Sequence, residues 1–310
     1  MVRWTNDCGE AEHAIFQRVR REASQLDMQP SFGTHSSASI RILLCIACLL
    51  ALTGLSLAKR PFEVVHFPAS TLPGSAQGNV ETPIWGHLAR PEGDRPHPAL
   101  VLLHGCGGIQ QSHLDWARLL ADAGFVTLVV DSFRPRNLTS DCRGVSSSAS
   151  PSARALDAFG ALKFLSGFEF VDPDRIGLIG WSHGGITVQN ATNTHGPGSR
   201  FEKTFQAAVA FYPYCIADRT YPVPLLVLIG EADDWTPVSE CRKLEQLNRE
   251  RQNDVELIVY PGAFHAFDNP SVGAGFYFPG ASGQRHWLQY DAGAHADARK
   301  RIVRFFRDRL

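Results

Sequence analysis

IGLIGWSHGG, residues 176–185, sets one serine among glycines directly after a short apolar run. Ile176–Ile179 reads as a buried strand, and the chain from Ile186 onward can form a helix. Ser182 then falls on the tight turn between the two. Gly180-Trp181-Ser182-His183-Gly184 fits G-x-S-x-G, a pattern that needs this strand–turn–helix context to carry chemistry. The small residues let the backbone turn sharply. Such a turn exposes Ser182 Oγ and aims the following N–H at a reacting carbonyl oxygen. The competing reading is a compact structural turn.

Outward from this stretch, the chain alternates apolar strands with longer helical segments. Strands are expected at 62–67, 83–89, 99–103, 125–130, 176–179, 206–211, 225–229 and 255–260. Helices are expected at 113–123, 151–165, after Ser182, at 237–251 and at 294–307. In the last of these, Ile302, Phe305 and Phe306 suit the inner side. The pattern indicates an α/β fold, with a mostly parallel central sheet and helices on both faces. Ligands of such folds sit beyond the carboxyl ends of the strands. His104-Gly105, Asp131, Gly180–Gly184, Gly230–Asp234 and Gly262–His265 all follow expected strands. They gather along one edge of the sheet and outline a cleft.

A serine hydroxyl is a poor nucleophile at neutral pH and needs a base. His265, in VYPGAFHAFD after the last core strand, is the candidate general base and acid. His183 is a weaker base, because the turn directs its ring away from Ser182. The base needs an acceptor that fixes its tautomer and stabilises imidazolium. LIGEADDWTP offers adjacent carboxylates, and the acid role is assigned to Asp233. Asp234 is then expected to cap the helix near Pro237 or to bind loop backbone. Asp131 competes, but the order Ser, Asp, His favours the later loop. The anionic intermediate needs donors. The N–H groups of Cys106, in HGCGG, and His183 form the expected oxyanion pair. The Gly-rich loop does not fit G-x-G-x-x-G, and no Walker lysine follows it, so a dinucleotide or ATP site is poorly supported.

The 310 residues carry 30 basic and 31 acidic side chains, a net charge of −1. That balance gives no sign of a nucleic-acid surface. The 44% hydrophobic content supports a sizeable core, and about 250 residues remain after a leader, enough for one large domain. Residues 1–39 are polar and read as an N-terminal extension, consistent with an overextended start, Met28 being a more ordinary one. Ile42–Ala58 is nearly all apolar, and Ser56-Leu57-Ala58 offers a small-x-small cleavage site. Segment 40–58 is therefore expected to be a signal peptide, with a periplasmic or secreted product. Its rival is a membrane anchor holding the catalytic domain outside the cytoplasm. Of seven cysteines, Cys106, Cys142, Cys215 and Cys241 lie beyond the leader. Four cysteines allow three complete pairings. Cys215 with Cys241 is preferred, because they flank one strand and the following helix start. Their spacing does not resemble a zinc site.

Over roughly 60–310 the chain resembles the dienelactone hydrolase family of the α/β-hydrolase superfamily. The resemblance rests on LLHGCGG at 102–108, VVDSFRPR at 129–136, GWSHGG at 180–185, GEADDWTP at 230–237 and YPGAFHAFD at 260–268. It implies a Ser182–Asp233–His265 triad, Cys106 and His183 backbone donors, and hydrolysis of a small acyl substrate without metal or organic cofactor. Two departures matter. Well-known members that cleave dienelactones use cysteine where this chain has Ser182, and carry glutamate where it has Gly105. The expectation is therefore a serine hydrolase acting on an ester, lactone or thioester. Its alternatives are an exported peptidase of the same fold and a non-catalytic binding domain on this scaffold. Arg134, Trp181 and Trp235 are candidate substrate contacts. Arg136 competes with Arg134 for a substrate carboxylate, and both have solvent exposure or structural pairing with Asp131 or Asp141 as the rival role. Phe133 and Phe267 are candidates for an apolar acyl pocket, and Gly273–Gly283 for a rim loop.

Overall fold

The first β-strand, β1, spans Glu63–Pro68 and buries only Val65 and Phe67, the alternate residues on one face. The next, β2 (Pro83–Ala89), pairs antiparallel with β1 and with β4 (Val126–Asp131). The other core strands run parallel: β3 (His97–Leu103), β5 (Val171–Trp181), β6 (Ala208–Phe211), β7 (Leu225–Gly230) and β8 (Val255–Tyr260). The sheet order is β1-β2-β4-β3-β5-β6-β7-β8. This is a computed structural model, and it describes residues 61–74, 82–93 and 95–310. The expected extension at 1–39 and the apolar segment at 40–58 lie outside those residues.

Every residue of β4 and β7 is buried. Successive side chains point to opposite faces, so both faces must be covered. The cover consists of α1 (Gln111–Asp122), α2 (Pro151–Leu165), α3 (His183–Thr192), α4 (Val238–Glu250) and α5 (Ala292–Arg309). The inner face of α5 carries Ile302, Phe305 and Phe306, as its sequence spacing indicated. The architecture is that of an α/β-hydrolase.

The structure extends or shifts several expected elements. β5 starts at Val171, which pairs with His97 ahead of the apolar stretch read as the strand. α3 starts at His183, immediately after the serine, as expected. The expected rim loop at 273–283 contains β9 (Phe276–Pro279), which pairs antiparallel with β10 (Arg285–Leu288). This hairpin was missed because each strand has only four residues. Its register sets Phe276, Phe278, His286 and Leu288 on one face. A bridge between His265 and Leu288 joins it to the loop after β8.

Candidate active site

Ser182 joins the end of β5 to the start of α3 with φ 52° and ψ −113°. A positive φ in a non-glycine residue is a strained conformation. The glycines make it sterically feasible. A Cβ on Gly180 would lie 2.4 Å from the Gly184 carbonyl oxygen, and one on Gly184 would lie 2.1 Å from that of Leu103. Hydrogen bonds fix the turn from both sides: Ser182 N–H donates to Phe211 O and Ile186 N–H to Ser182 O, each at 2.9 Å.

The loops after β7 and β8 bring the expected acid and base to this turn. His265 Nε2 lies 3.0 Å from Ser182 Oγ, and His265 Nδ1 lies 2.8 Å from Asp233 Oδ2. Asp233 is itself held. Its Oδ1 accepts from the backbone N–H groups of Trp235 and Thr236, each at 2.9 Å, and its Oδ2 accepts from Thr236 Oγ at 2.8 Å. Burial pushes the Asp233 carboxyl up, but the charge and hydrogen bond of His265 and the Thr236 bonds outweigh it. The carboxyl therefore sits below its ordinary value and stays ionised beside the imidazole. Asp234 points elsewhere. Its Oδ1 accepts from Trp287 N–H on β10 at 3.1 Å, while α4 has no side-chain cap. Of its two expected roles, helix capping is not observed, and the backbone it binds is that of strand β10. Asp131 accepts from the Phe133 and Arg134 N–H groups and organises the turn after β4.

The loop after β3 runs beside the serine: a Cβ on Gly105 would lie 3.7 Å from Ser182 Cβ. The Gly105 carbonyl lies 2.7 Å from His104 Nδ1 and accepts from Gly108 N–H at 3.3 Å. Because the peptide is trans, pinning this carbonyl orients the Cys106 N–H on its opposite side. The Cys106 carbonyl accepts from Asp141 N–H at 2.8 Å, and a disulfide joins Cys106 to Cys142. The other pair is Cys215–Cys241, as preferred from sequence. His183 supplies an N–H in the first turn of α3, where no helical carbonyl is in register to accept it.

A cavity of about 300 Å³ opens above Ser182. Its walls include Trp181, Tyr212, Trp235 and the inner face of the β9–β10 hairpin. Trp235 stacks on His286 with ring centres 5.0 Å apart and packs at the same distance against His265. Both expected tryptophans therefore border the cavity. Most of Trp181 is buried, and its Nε1–H donates to Asp268 at 2.7 Å. The structure corrects three other expectations. Arg134 is outside the cavity lining; its side chain is 64% exposed and 3.6 Å from Asp131. Arg136 pairs with Asp157 at 2.7 Å, not with Asp131 or Asp141. Phe133 and Phe267 are packed away in the interior because neighbouring rings enclose them.

Sequence reasoning missed the support beneath the pocket. Asp268 is buried and accepts from Trp116 Nε1, Trp181 Nε1 and Tyr212 Oη, each at 2.7 Å. Its position three residues after His265 was the available signal.

The model of the dienelactone hydrolase family matches residues 84–310. The chain belongs to that family. Among its curated relatives is a "putative carboxymethylenebutenolidase" of Methylorubrum extorquens, 27% identical over 248 residues, covering 72% of this chain and 82% of the relative. A dienelactone hydrolase-like promiscuous phosphotriesterase from metagenomic libraries superposes with a TM-score of 0.60 at 21% identity, covering 80% of this chain and 99% of that one. Esterase 2 of Thermogutta terrifontis, phosphoramylated by tabun, superposes at 0.59 with 16% identity, covering 82% and 97%. The structural likenesses establish the fold, and family membership makes this chain a hydrolase.

Proposed function

We propose that this member of the dienelactone hydrolase family cleaves carboxylic esters, lactones or thioesters through an acyl-serine intermediate. The carrying observation is the line from Ser182 Oγ to His265 Nε2 at 3.0 Å and from His265 Nδ1 to Asp233 at 2.8 Å. In this mechanism His265 takes the Ser182 proton as Oγ attacks the substrate carbonyl. Asp233 holds the proton on Nδ1, keeps Nε2 free to accept, and stabilises the imidazolium. The Cys106 and His183 N–H groups receive the oxyanion. His265 then protonates the departing oxygen or sulfur, and the acyl group remains on Ser182. Water, deprotonated by the same histidine, releases the acid and restores the serine.

The aromatic walls suit a small apolar acyl or alcohol group, and the name of the Methylorubrum relative adds a lactone to the substrate choices. Short-chain aryl esters and simple butenolides test the reading. We expect turnover by the native protein and its loss in Ser182→Ala. Equal turnover by both would remove Ser182 as nucleophile, and preferential cleavage of a peptide library would favour a peptidase. The apolar segment 40–58 supports export to the periplasm or beyond. N-terminal sequencing of the exported protein tests cleavage near Ala58, and a retained segment would indicate an anchor.

A further inference from the structure

Arg154, on α2, has a fully buried side chain, and among the described residues no carboxylate pairs with it within 4.0 Å. Asp157, Asp131 and Asp141 act on it only at longer range, and its Nε has no hydrogen-bond partner. Burying a guanidinium this way is costly. Burial lowers its pKa to about 10, so it remains a cation at neutral pH. Its two terminal nitrogens are used very specifically. Nη2–H donates to the His104 carbonyl and Nη1–H to His183 Nδ1, both at 2.7 Å. The guanidinium lies 5.1 Å above the Phe133 ring, which also packs edge-on against His104 and His183.

The two acceptors belong to the two segments that carry the oxyanion donors. His104 is one peptide ahead of the Gly105–Cys106 peptide. Its ring also fixes that peptide, through Nδ1–H to the Gly105 carbonyl at 2.7 Å, while Nε2 accepts from Ser132 N–H at 3.3 Å. Both contacts require a neutral ring protonated on Nδ1. Burial and the Arg154 charge push the His183 ring down to about 3, so it is neutral and accepts the Arg154 hydrogen bond. The planar fork of Arg154 thus spans the end of β3 and the start of α3. A lysine has a single charged nitrogen and cannot reproduce both contacts in that geometry.

We propose that Arg154 is a positioning residue for the oxyanion site. Its fork holds the Cys106 and His183 N–H groups at a fixed spacing, and its buried charge adds positive potential where the tetrahedral oxyanion forms. This inference rests on the serine mechanism above. It explains why the fold keeps a guanidinium in its interior with neutral hydrogen-bond partners and its carboxylates only at longer range: the oxyanion it complements forms only during the reaction.

The test measures kcat and KM separately on 4-nitrophenyl butyrate for native protein, Arg154→Met and Arg154→Lys. It also compares inhibition by an alkyl trifluoromethyl ketone, which forms a tetrahedral adduct, with that by its non-fluorinated ketone. Removing a direct oxyanion donor costs about 100- to 1,000-fold in kcat, and a group acting through the donors should cost less. We expect about a 30- to 100-fold fall in kcat for Arg154→Met and about 10-fold for Arg154→Lys, with KM within about threefold in both. Affinity for the trifluoromethyl ketone should weaken by similar factors, and that for the plain ketone should not. Native-like kcat in folded Arg154→Met, a loss confined to KM, or equal weakening of both ketones would overturn the inference. If Arg154→Met does not fold by circular dichroism, Arg154→Lys decides it, and native-like kcat in that folded variant is the contrary result. Ser182→Ala separates the two claims. If it retains activity, the serine reading fails; if it is inactive while Arg154→Met is native-like, only the role of Arg154 fails.

Discussion

Replacing Asp233 by asparagine should disable the site through a proton in the wrong place. Asp233 Oδ1 accepts from two backbone N–H groups, those of Trp235 and Thr236, each at 2.9 Å. An asparagine carbonyl must take that position, because turning the amide over would face its NH₂ toward two N–H donors, the buried one of Thr236 and the part-buried one of Trp235. Leaving the buried Thr236 donor unpaired costs about 1–3 kcal/mol, and the part-buried Trp235 donor adds less. The asparagine NH₂ therefore occupies the Oδ2 position, 2.8 Å from His265 Nδ1. It can only donate there. Nδ1 must become the acceptor, and the imidazole proton moves to Nε2, which then cannot take the Ser182 proton. The same tautomer error in an assembled triad lowers kcat about 10⁴-fold, so we expect a loss of about 10³- to 10⁴-fold in Asp233→Asn. Asp234→Asn keeps a carbonyl for Trp287 N–H and should stay within about threefold of native, in line with the small effects of exposed polar changes. The assay is kcat/KM on one short aryl ester, with thermal melting to confirm folding. A larger loss in Asp234→Asn, or an Asp233→Asn variant within tenfold of native, would refute the reasoning.

Stability should fall on mild acidification. Burial lowers the His113 and His183 pKa values to about 3, so between about pH 6.5 and 3 the unfolded chain binds protons that the folded chain does not. Each histidine should then remove about 1 kcal/mol per pH unit as pH drops, and His113→Gln should flatten the dependence of Tm on pH; an unchanged slope would contradict this. Cys142→Ser should lower stability by at most about 4 kcal/mol, from the 36-residue separation it unties, and should lower kcat several-fold by loosening Cys106. Unchanged melting and kcat would show that the bridge does not brace the loop. Trp235→Ala removes the ring that stacks on Phe278 and His286 at the cavity wall. The ratio of kcat/KM for hexanoyl over acetyl aryl esters should fall about tenfold, and a constant ratio would place the acyl chain elsewhere.

Much of this arrangement was legible because it depends on local pattern. Apolar runs such as LLVLIG at 225–230 announce strands buried on both faces, and Ser182, Asp233 and His265 follow the ends of such runs. Parallel connectivity then brings the loops together, whatever their separation in sequence. What escaped reading depends on contacts between distant residues. Asp268 takes Trp116 as a partner 152 residues away, which no periodicity announces. Arg154 falls on a helix that is buried along most of its length, where a charged side chain is unusual. Its partners His183 and His104 lie 29 and 50 residues away in sequence. Arg134 looked like a substrate contact because it follows a strand end. The Asp131 carboxylate instead organises the local turn and leaves the guanidinium outside the cavity. The β9–β10 hairpin has strands too short for alternation to stand out, although Phe276 and Phe278 already show the period of two.

The most direct test of the central claim is to catch the acyl group on the protein. Native protein and Ser182→Ala would be mixed with 4-nitrophenyl acetate, quenched in acid within milliseconds to seconds, and analysed by intact and peptide mass spectrometry. The account predicts one acetyl group per native chain, on the peptide containing Ser182, and none in Ser182→Ala. Acetylation of another residue at the rate of turnover, or turnover by Ser182→Ala at the native rate, would contradict it.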